Sequence, residues 1–274
     1  TLTIQAGTKL DGSQKRTTFS ENLATKRGGA IFHRGNDLHI SDTDFTGNSV
    51  IGKNDSTSSV DGGGAIYYVG SSASRPHYAT IENSIFDKNI VENWVTDENR
   101  IKTATALGGA LHFGDSSFGV TSITDTTFTN NSASVVNRPY EDSSSTYMSR
   151  GGAAYLLVKS FNGDNLTFTG NSADIAGGMF LSGNAYSVID HGTFQSNTAK
   201  YRGGAAYLAV PGYDYLVIRN STIGGDKDEL GNTAQYGGGL YLNTGANIEN
   251  STIMNNKASE TGGGIYSGTA VKIK

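Results

Sequence analysis

Cysteine is absent from the 274 residues, proline occurs three times, methionine three times and tryptophan once. Without cysteine there can be no disulfides, so nothing in the chain ties it to an oxidising or a reducing compartment. Three prolines against 37 glycines describe a backbone that needs unusual dihedral angles often and rigid stops seldom. A basic stripe is missing too. Lys and Arg number 21 against 25 Asp and Glu, and a net charge of −4 with a pI near 5.7 argues against a nucleic-acid partner. No apolar run approaches the roughly 18 residues of a spanning helix, and no signal-peptide pattern opens the chain. Direct membrane insertion of this segment is therefore not expected. Thr1 reads as a processed or engineered start and Ala270–Lys274 as the opening of a further repeat, so the chain is expected to be a piece of something longer.

What is present is one phrase, repeated. Phe194 and Asn197 lead to Gly203-Gly204-Ala205-Ala206-Tyr207, a template of the form F-x-x-N followed by G-G-A-φ-Y. The phrase recurs from Phe19, Phe45, Phe86, Phe128 and Phe168, and in looser form from Ile223 and Ile253, giving eight copies. The shortest period is about 26 residues, as from Gly151 to Gly177 to Gly203, which belongs to solenoid or propeller arrays. Paired glycines and β-branched runs disfavour helices. Short period-2 runs such as Leu38-x-Ile40, Ala79-x-Ile81, Leu216-x-Ile218 and Ala246-x-Ile248 favour strands. Three short strands per copy with sharp corners predict an all-β chain. The expected fold is a right-handed parallel β-helix (β-solenoid) of about eight rungs, forming one continuous domain over residues 1–274.

The fixed polar positions then acquire structural reasons. Stacked rungs lie about 4.8 Å apart, so Asn22, Asn48, Asn89, Asn131, Asn171, Asn197, Asn232 and Asn256 are expected to form an amide ladder at a corner. Asn tolerates left-handed backbone, which would suit it to such a corner. A second polar column runs through Asp42, Asn83, Asp125, Asn165, His191, Asn220 and Asn250, and the glycine pair forms a third column. Phe32, Tyr67, His112, Tyr155, Leu181, Tyr207, Tyr241 and Tyr266 form an outward aromatic column, read first as cross-rung stacking and second as a sugar-binding face.

Taken together, the alternating G-G-A-[I/L/V] and F-x-x-N tetrapeptides resemble those of the polymorphic membrane proteins of chlamydiae and of bacterial surface proteins sharing their repeats. Gly28-Ala30-Ile31, Gly63-Ala65-Ile66 and Gly108-Ala110-Leu111 carry the first motif, and Phe19-Asn22 through Phe194-Asn197 the second. The resemblance implies an autotransporter-type passenger β-helix displayed outside the cell, with adhesion as its usual role. The family's cysteines are missing here, and later copies drift to Gly-Gly-Ala-Ala or Gly-Gly-Gly-Leu.

Function in a solenoid tends to sit where the period breaks. Three consecutive copies carry inserts at the same corner, roughly 50–62, 91–107 and 134–150, which must cluster as loops of one lobe. These hold Trp94, the single tryptophan, with Arg100, Arg138, Tyr140, Tyr147 and Arg150, the residue types that dominate recognition hot spots. They are the candidate ligand-binding residues, and tolerated loop growth is the alternative. The expected partner is a host-cell protein or a glycan receptor, with self-association left open.

Turnover chemistry finds little footing. The paired carboxylates of a glycosidase and the ordered Asp, His and Arg-x-Lys motifs of a polygalacturonase are missing apart from Asp190-His191-Gly192. The five histidines show no metal-ligand spacing. Asp226, Asp228 and Glu229 crowd one insert and could hold Ca²⁺ through oxygen ligands, but they lack a full calcium loop. A regular Thr-x-Thr array of the ice-binding kind is not expected. The expectation is thus an extracellular adhesive module at a bacterial cell surface, with a polysaccharide-cleaving β-helix enzyme or a plain structural stalk as the alternatives.

Overall fold

The computed structural model describes residues 1–8, 14–54, 60–70, 76–96, 103–114, 118–138, 147–211 and 215–274. One plain rung shows how local sequence makes the coil. Ser187–Asp190 runs extended with Ile189 inward, and the chain then turns at His191 with φ 49°. Thr193–Gln195 turns Phe194 inward, and Ser196 bends the backbone again at φ 55°. Thr198–Arg202 follows, ending at Gly203 with φ 67°, and Ala206–Ala209 completes the turn. The next rung lies directly on top, in parallel register: Ile189 faces Ile218, Phe194 faces Ile223 and Tyr207 faces Tyr241.

Stacking repeats this pattern into a parallel β-solenoid, as the repeat predicts. Among the described residues, a 15-stranded sheet collects the Leu-x-Ile and Phe strands, an 8-stranded sheet the G-G-A-φ-Y strands, and a 10-stranded sheet the strands that follow the asparagines. The side chains enclosed between them are stacked like on like. Phe19, Phe45, Phe86, Phe128, Phe168 and Phe194 form a column with ring centroids 4.6 to 5.0 Å apart and nearly coplanar rings. Ile40, Ile81, Ile123, Ile218 and Ile248 are buried alongside. A side chain of this size contributes about 1.5–3 kcal/mol when fully buried, so the core is built from equal increments along the axis.

The asparagine ladder is continuous. Each side-chain NH₂ donates to the Oδ1 of the next rung's asparagine at 2.8 to 3.0 Å, from Asn22 through to Asn256. Each Oδ1 also accepts the backbone N–H of the preceding rung's asparagine. The second amide hydrogen goes to a carbonyl of the Phe column, as from Asn131 to Phe86 O at 2.9 Å. The reason for Asn differs from the sequence expectation in one respect. The left-handed residue is the one before the ladder (Glu21, Lys88, Asn130, Ser196 and Asn255, φ 53–56°), so the ladder asparagines are held by hydrogen bonding and not by backbone preference. The other polar column does take the left-handed role, with φ 43–51° at Asp42, Asn83, Asp125, Asn165, His191, Asn220 and Asn250.

The glycine pair divides its work. At Gly203 a Cβ would lie 2.3 Å from Ala206 O, a consequence of positive φ, whereas at Gly204 it would meet Gly238 O of the adjacent rung at 2.2 Å. One copy is shifted. Ala176, not Gly177, occupies the left-handed place (φ 59°), so Phe180 and not Leu181 joins the aromatic column. Leu181 is buried in the core. The corrected column stacks from Phe32 to Tyr266 with neighbouring centroids 4.5 to 5.6 Å apart. Register also reveals a column not expected from sequence: Thr127, Thr167, Thr193, Thr222 and Thr252 occupy one position on consecutive rungs. It stays a single file, since the positions two residues on are Thr129, Thr169, Gln195, Gly224 and Met254.

Candidate binding site on the side lobe

The three inserts leave the same corner of adjacent rungs, but they are not loops from end to end. Ser49–Asn54, Ile90–Val95 and Ser132–Val136 run outward as parallel strands, with Val50 facing Val91 and Val91 facing Ala133. Ala104–Leu107 and Tyr147–Arg150 return, paired to each other, and single bridges link Arg27 to Gly62 and Gly62 to Leu107. The lobe has its own core of Val50, Val60, Val91, Val95, Ala104, Ala106, Ala133, Val135 and Tyr147. Its cause is the period-2 alternation of Val91-x-Asn93-x-Val95 and Ala133-x-Val135, which turns one side of each outgoing strand inward. Asn93 Nδ2 donates to Thr105 O at 2.8 Å and Asn54 Nδ2 to Thr103 O at 3.1 Å, tying outgoing strands to the returning segment.

This core sorts the six predicted contact residues. Tyr147 is 3% exposed and belongs to the lobe interior, so its ring is withdrawn from any surface. Arg138 is also drawn in: its Nη1 lies 3.1 Å from Asp174 Oδ1, and its side chain bonds the carbonyls of Val135 and Tyr147. Asp174 in turn accepts from the N–H and hydroxyl of Ser149 at 2.9 Å, which makes Arg138 a brace between the lobe and the next rung. Arg150 is half-buried against Tyr155, whose hydroxyl pKa is raised by burial and drawn partly back by the Arg150 guanidinium. Arg100 and Tyr140 lie outside the described residues. Of the described members of the six, Trp94 is the one exposed on the lobe surface, with Nε1 donating to Glu92 Oε2 at 2.9 Å.

Around Trp94 lies a cavity of about 490 Å³ lined by Thr25, Lys26, Ile51, Gly52, Lys53, Glu92 and Trp94. Its floor is the outer side of the outgoing strands, where Ile51 and Trp94 are both large, apolar and exposed. Gly52 is needed there, since a Cβ would meet Thr25 O at 2.1 Å and Val60 Cγ2 at 2.6 Å. Two lysines and one glutamate rim an otherwise apolar surface. Sequence reasoning found Trp94 but missed Ile51, Lys53 and Glu92. Their signal was the outward half of the same alternation that buries Val50 and Val91.

The lobe's base covers part of the aromatic column. The Arg27 guanidinium lies 5.3 Å over the Tyr67 ring and its Nε donates to the Asp61 carboxylate, while His112 Nδ1 is 3.1 Å from Asp61 O. His112 is consequently desolvated, and its pKa falls to about 3, with the Asp61 carbonyl opposing and Arg27 reinforcing the shift.

The acidic candidates resolve otherwise. Asp226, Asp228 and Glu229 do not converge on a common point among the described residues, and Asp228 Oδ2 is engaged by Lys257 Nζ at 2.9 Å. Asp164, Asp190 and His191 do come together, with His191 Nδ1 3.0 Å from Asp164 Oδ1 and 3.2 Å from Asp190 Oδ1. Burial alone would raise the Asp190 carboxyl, but hydrogen bonds from Asn220 and Arg219 hold it below the usual carboxylate range. The group is thus a hydrogen-bonded corner, with Asp190 paired to the Arg219 guanidinium, continuous with the polar column of the neighbouring rungs.

Residues 16–34 and 250–268, in the first and last rungs, match the Chlamydia polymorphic membrane protein repeat. The chain carries polymorphic-membrane-protein-type repeats. Both matched segments hold the F/I-x-x-N and G-G elements whose ladders run the length of the solenoid. Repeats of this type point to a bacterial surface protein, of the autotransporter-passenger kind. Comparison with curated proteins and with solved structures gives no significant match.

Proposed function

We propose that this polymorphic-membrane-protein-type solenoid is a non-catalytic, adhesin-type recognition module, displayed outside a bacterial cell. It contacts a host or environmental ligand through the side lobe. The carrying observation is the Trp94 cavity: an exposed indole, hydrogen-bonded to Glu92, beside Ile51 and rimmed by Lys26 and Lys53, on a lobe with a hydrophobic core of its own. Rigid aromatic surface loses little entropy on binding, which suits it to recognition. The remaining ladders serve as scaffold.

The test is attachment of the purified protein to target cells or immobilised ligand. Trp94→Ala is expected to abolish it with an unchanged circular dichroism spectrum. Cutting the three inserts back to the five-residue spacer between Asn197 and Gly203 should do the same, provided that Asp174→Asn removes the carboxylate that Arg138 otherwise balances. Full attachment after both changes would reduce the lobe to decoration. Release of reducing or unsaturated ends from a polysaccharide panel would overturn the non-catalytic reading.

A further inference from the structure

The threonine file has a chemical partner. Two residues before each member stands the left-handed corner of the polar column, and where that corner is asparagine the two together spell Asn-x-Thr. The three cases are Asn165-Leu166-Thr167, Asn220-Ser221-Thr222 and Asn250-Ser251-Thr252. This is the acceptor sequence for N-linked sugars. Strand geometry alone does not demand threonine at that place. Asp44 and Ile85 hold it in earlier rungs, so Asn83, followed by Ile85, forms no such sequence.

The ladder asparagines are kept out of the pattern, since each is followed two residues on by Ala or Val. From Asn48 to Asn232 they are buried with both amide hydrogens spent, and a sugar on any of them would break the coil. Two other acceptor sequences stand apart from the column. Asn54 is buried with Nδ2 donating to Thr103 O, and Asn130 lies at the next corner with serine two residues on.

The corner asparagines present the opposite surroundings. Asn165, Asn220 and Asn250 are exposed at turns with φ 44–51°. One Nδ2 hydrogen of each goes to the rung before, to Asp125 Oδ1, Asp190 Oδ1 and Asn220 Oδ1 respectively, at 2.6 to 2.8 Å. The other amide hydrogen has no partner among the described residues. Substitution on nitrogen replaces that hydrogen alone, so the corner keeps its hydrogen bond.

We propose that Asn165, and one of the adjacent pair Asn220 and Asn250, are acceptor sites for N-linked sugars. The amide nitrogen attacks C1 of a sugar activated through an anomeric phosphate. The N–C1 bond forms as C1–O breaks, the phosphate leaves with the bonding pair, and the displaced amide proton passes to a base of the transferase. The threonine hydroxyl gives the transferase its second point of recognition. His191 separates Asn165 from Asn220, whereas Asn220 and Asn250 stand on neighbouring rungs, about 4.8 Å apart, so a chain on one excludes a chain on the other. The column belongs to the 15-stranded sheet and these rungs carry no insert at the lobe's corner, so the sites are independent of the lobe reading.

The experiment is peptide mass mapping of the whole protein recovered from the cells that make it. A hexose-type or hexosamine-type mass increment is expected on Asn165 and on Asn220 or Asn250, placed on the asparagine by fragmentation. Thr167→Val, Thr222→Val and Thr252→Val keep every asparagine and the β-branched shape of the strand, and each should lose the increment at its own site with an unchanged dichroism spectrum. Thr167→Ser should retain it. Bare asparagines at all three positions, an increment carried by the threonines, or sugars that persist in the valine variants would overturn the proposal. Sugar chains on Asn220 and Asn250 of the same molecule would overturn their mutual exclusion.

Discussion

Replacing Asn131 by alanine asks what the amide ladder contributes. Asn131 is fully buried at the middle of the stack. Its Oδ1 accepts the backbone N–H of Asn89 at 2.9 Å and the Asn89 side-chain amide at 3.0 Å, and its own Nδ2 donates to Phe86 O and Asn171 Oδ1. Removing the side chain orphans one N–H and one amide hydrogen of Asn89, while Phe86 O keeps its bond within the parallel ladder and Asn171 Oδ1 keeps the backbone N–H of residue 131. Two orphaned buried groups at about 1–3 kcal/mol each, discounted because water can enter the space left, give a loss of about 2–4 kcal/mol. Asn22→Ala is the matched control. Asn22 is exposed at the first rung, and its side chain contributes one hydrogen bond to Asn48 Oδ1, which still accepts the Asn22 backbone N–H. That change should cost about 0.5–1.5 kcal/mol. Urea denaturation followed by far-ultraviolet circular dichroism measures both. If the two variants lose the same stability, the ladder is a passenger of the sheets and the reasoning fails.

Two further outcomes follow from buried groups. His112 titrates at about 3 in the folded chain against 6.5 in the unfolded one, so its contribution to stability is complete above pH 6.5 and is lost as pH falls toward 3. The loss is about 2 kcal/mol at pH 5, and His112→Phe, the ring that the column carries at Phe32 and Phe180, should flatten the pH dependence of the urea midpoint over that window. Arg138→Met leaves the buried Asp174 carboxylate with Ser149 as its donor among the described residues, so it should destabilise by about 3–5 kcal/mol, and adding Asp174→Asn should recover most of the loss. Failure of that recovery would show that Arg138 acts through packing and not through its charge.

The ladders were legible in the sequence because each rung repeats the same residue at the same offset, and stacking physics turns repetition into contact. Phe128 and Asn131 need no knowledge of the rest of the fold to be placed. Leu181 was misplaced because Gly177-Gly178 looks like the usual pair, although Ala176 holds the left-handed position one residue earlier. The lobe was visible as an interruption, but its strands were hidden within inserts whose alternation is only three to five residues long, as in Ala133-x-Val135 and Val91-x-Asn93-x-Val95. Arg138 and Tyr147 could not be told from surface contacts, since what buries them is Asp174 and a set of valines from other rungs. The threonine file escaped notice because its members sit beside the phenylalanines that carry the repeat, and spacings of 40, 26, 29 and 30 residues conceal their alignment.

The amide ladder points one way. Along the ladder each asparagine offers its backbone N–H and one amide hydrogen to the Oδ1 of the rung that follows, and turns its own Oδ1 and its other amide hydrogen toward the rung before. A completed rung therefore presents oriented amide hydrogens at a fixed corner, and an incoming segment whose asparagine reaches that corner is placed to within a hydrogen-bond length before its own strands have closed. Growth of the solenoid resembles deposition on a crystal face more than collapse of a globule, with each layer acting as the seed for the next. The same geometry governs the response to force. Tension applied at one end loads only the outermost layer, so the stack should yield by peeling one rung after another while the lobe several layers away keeps its shape.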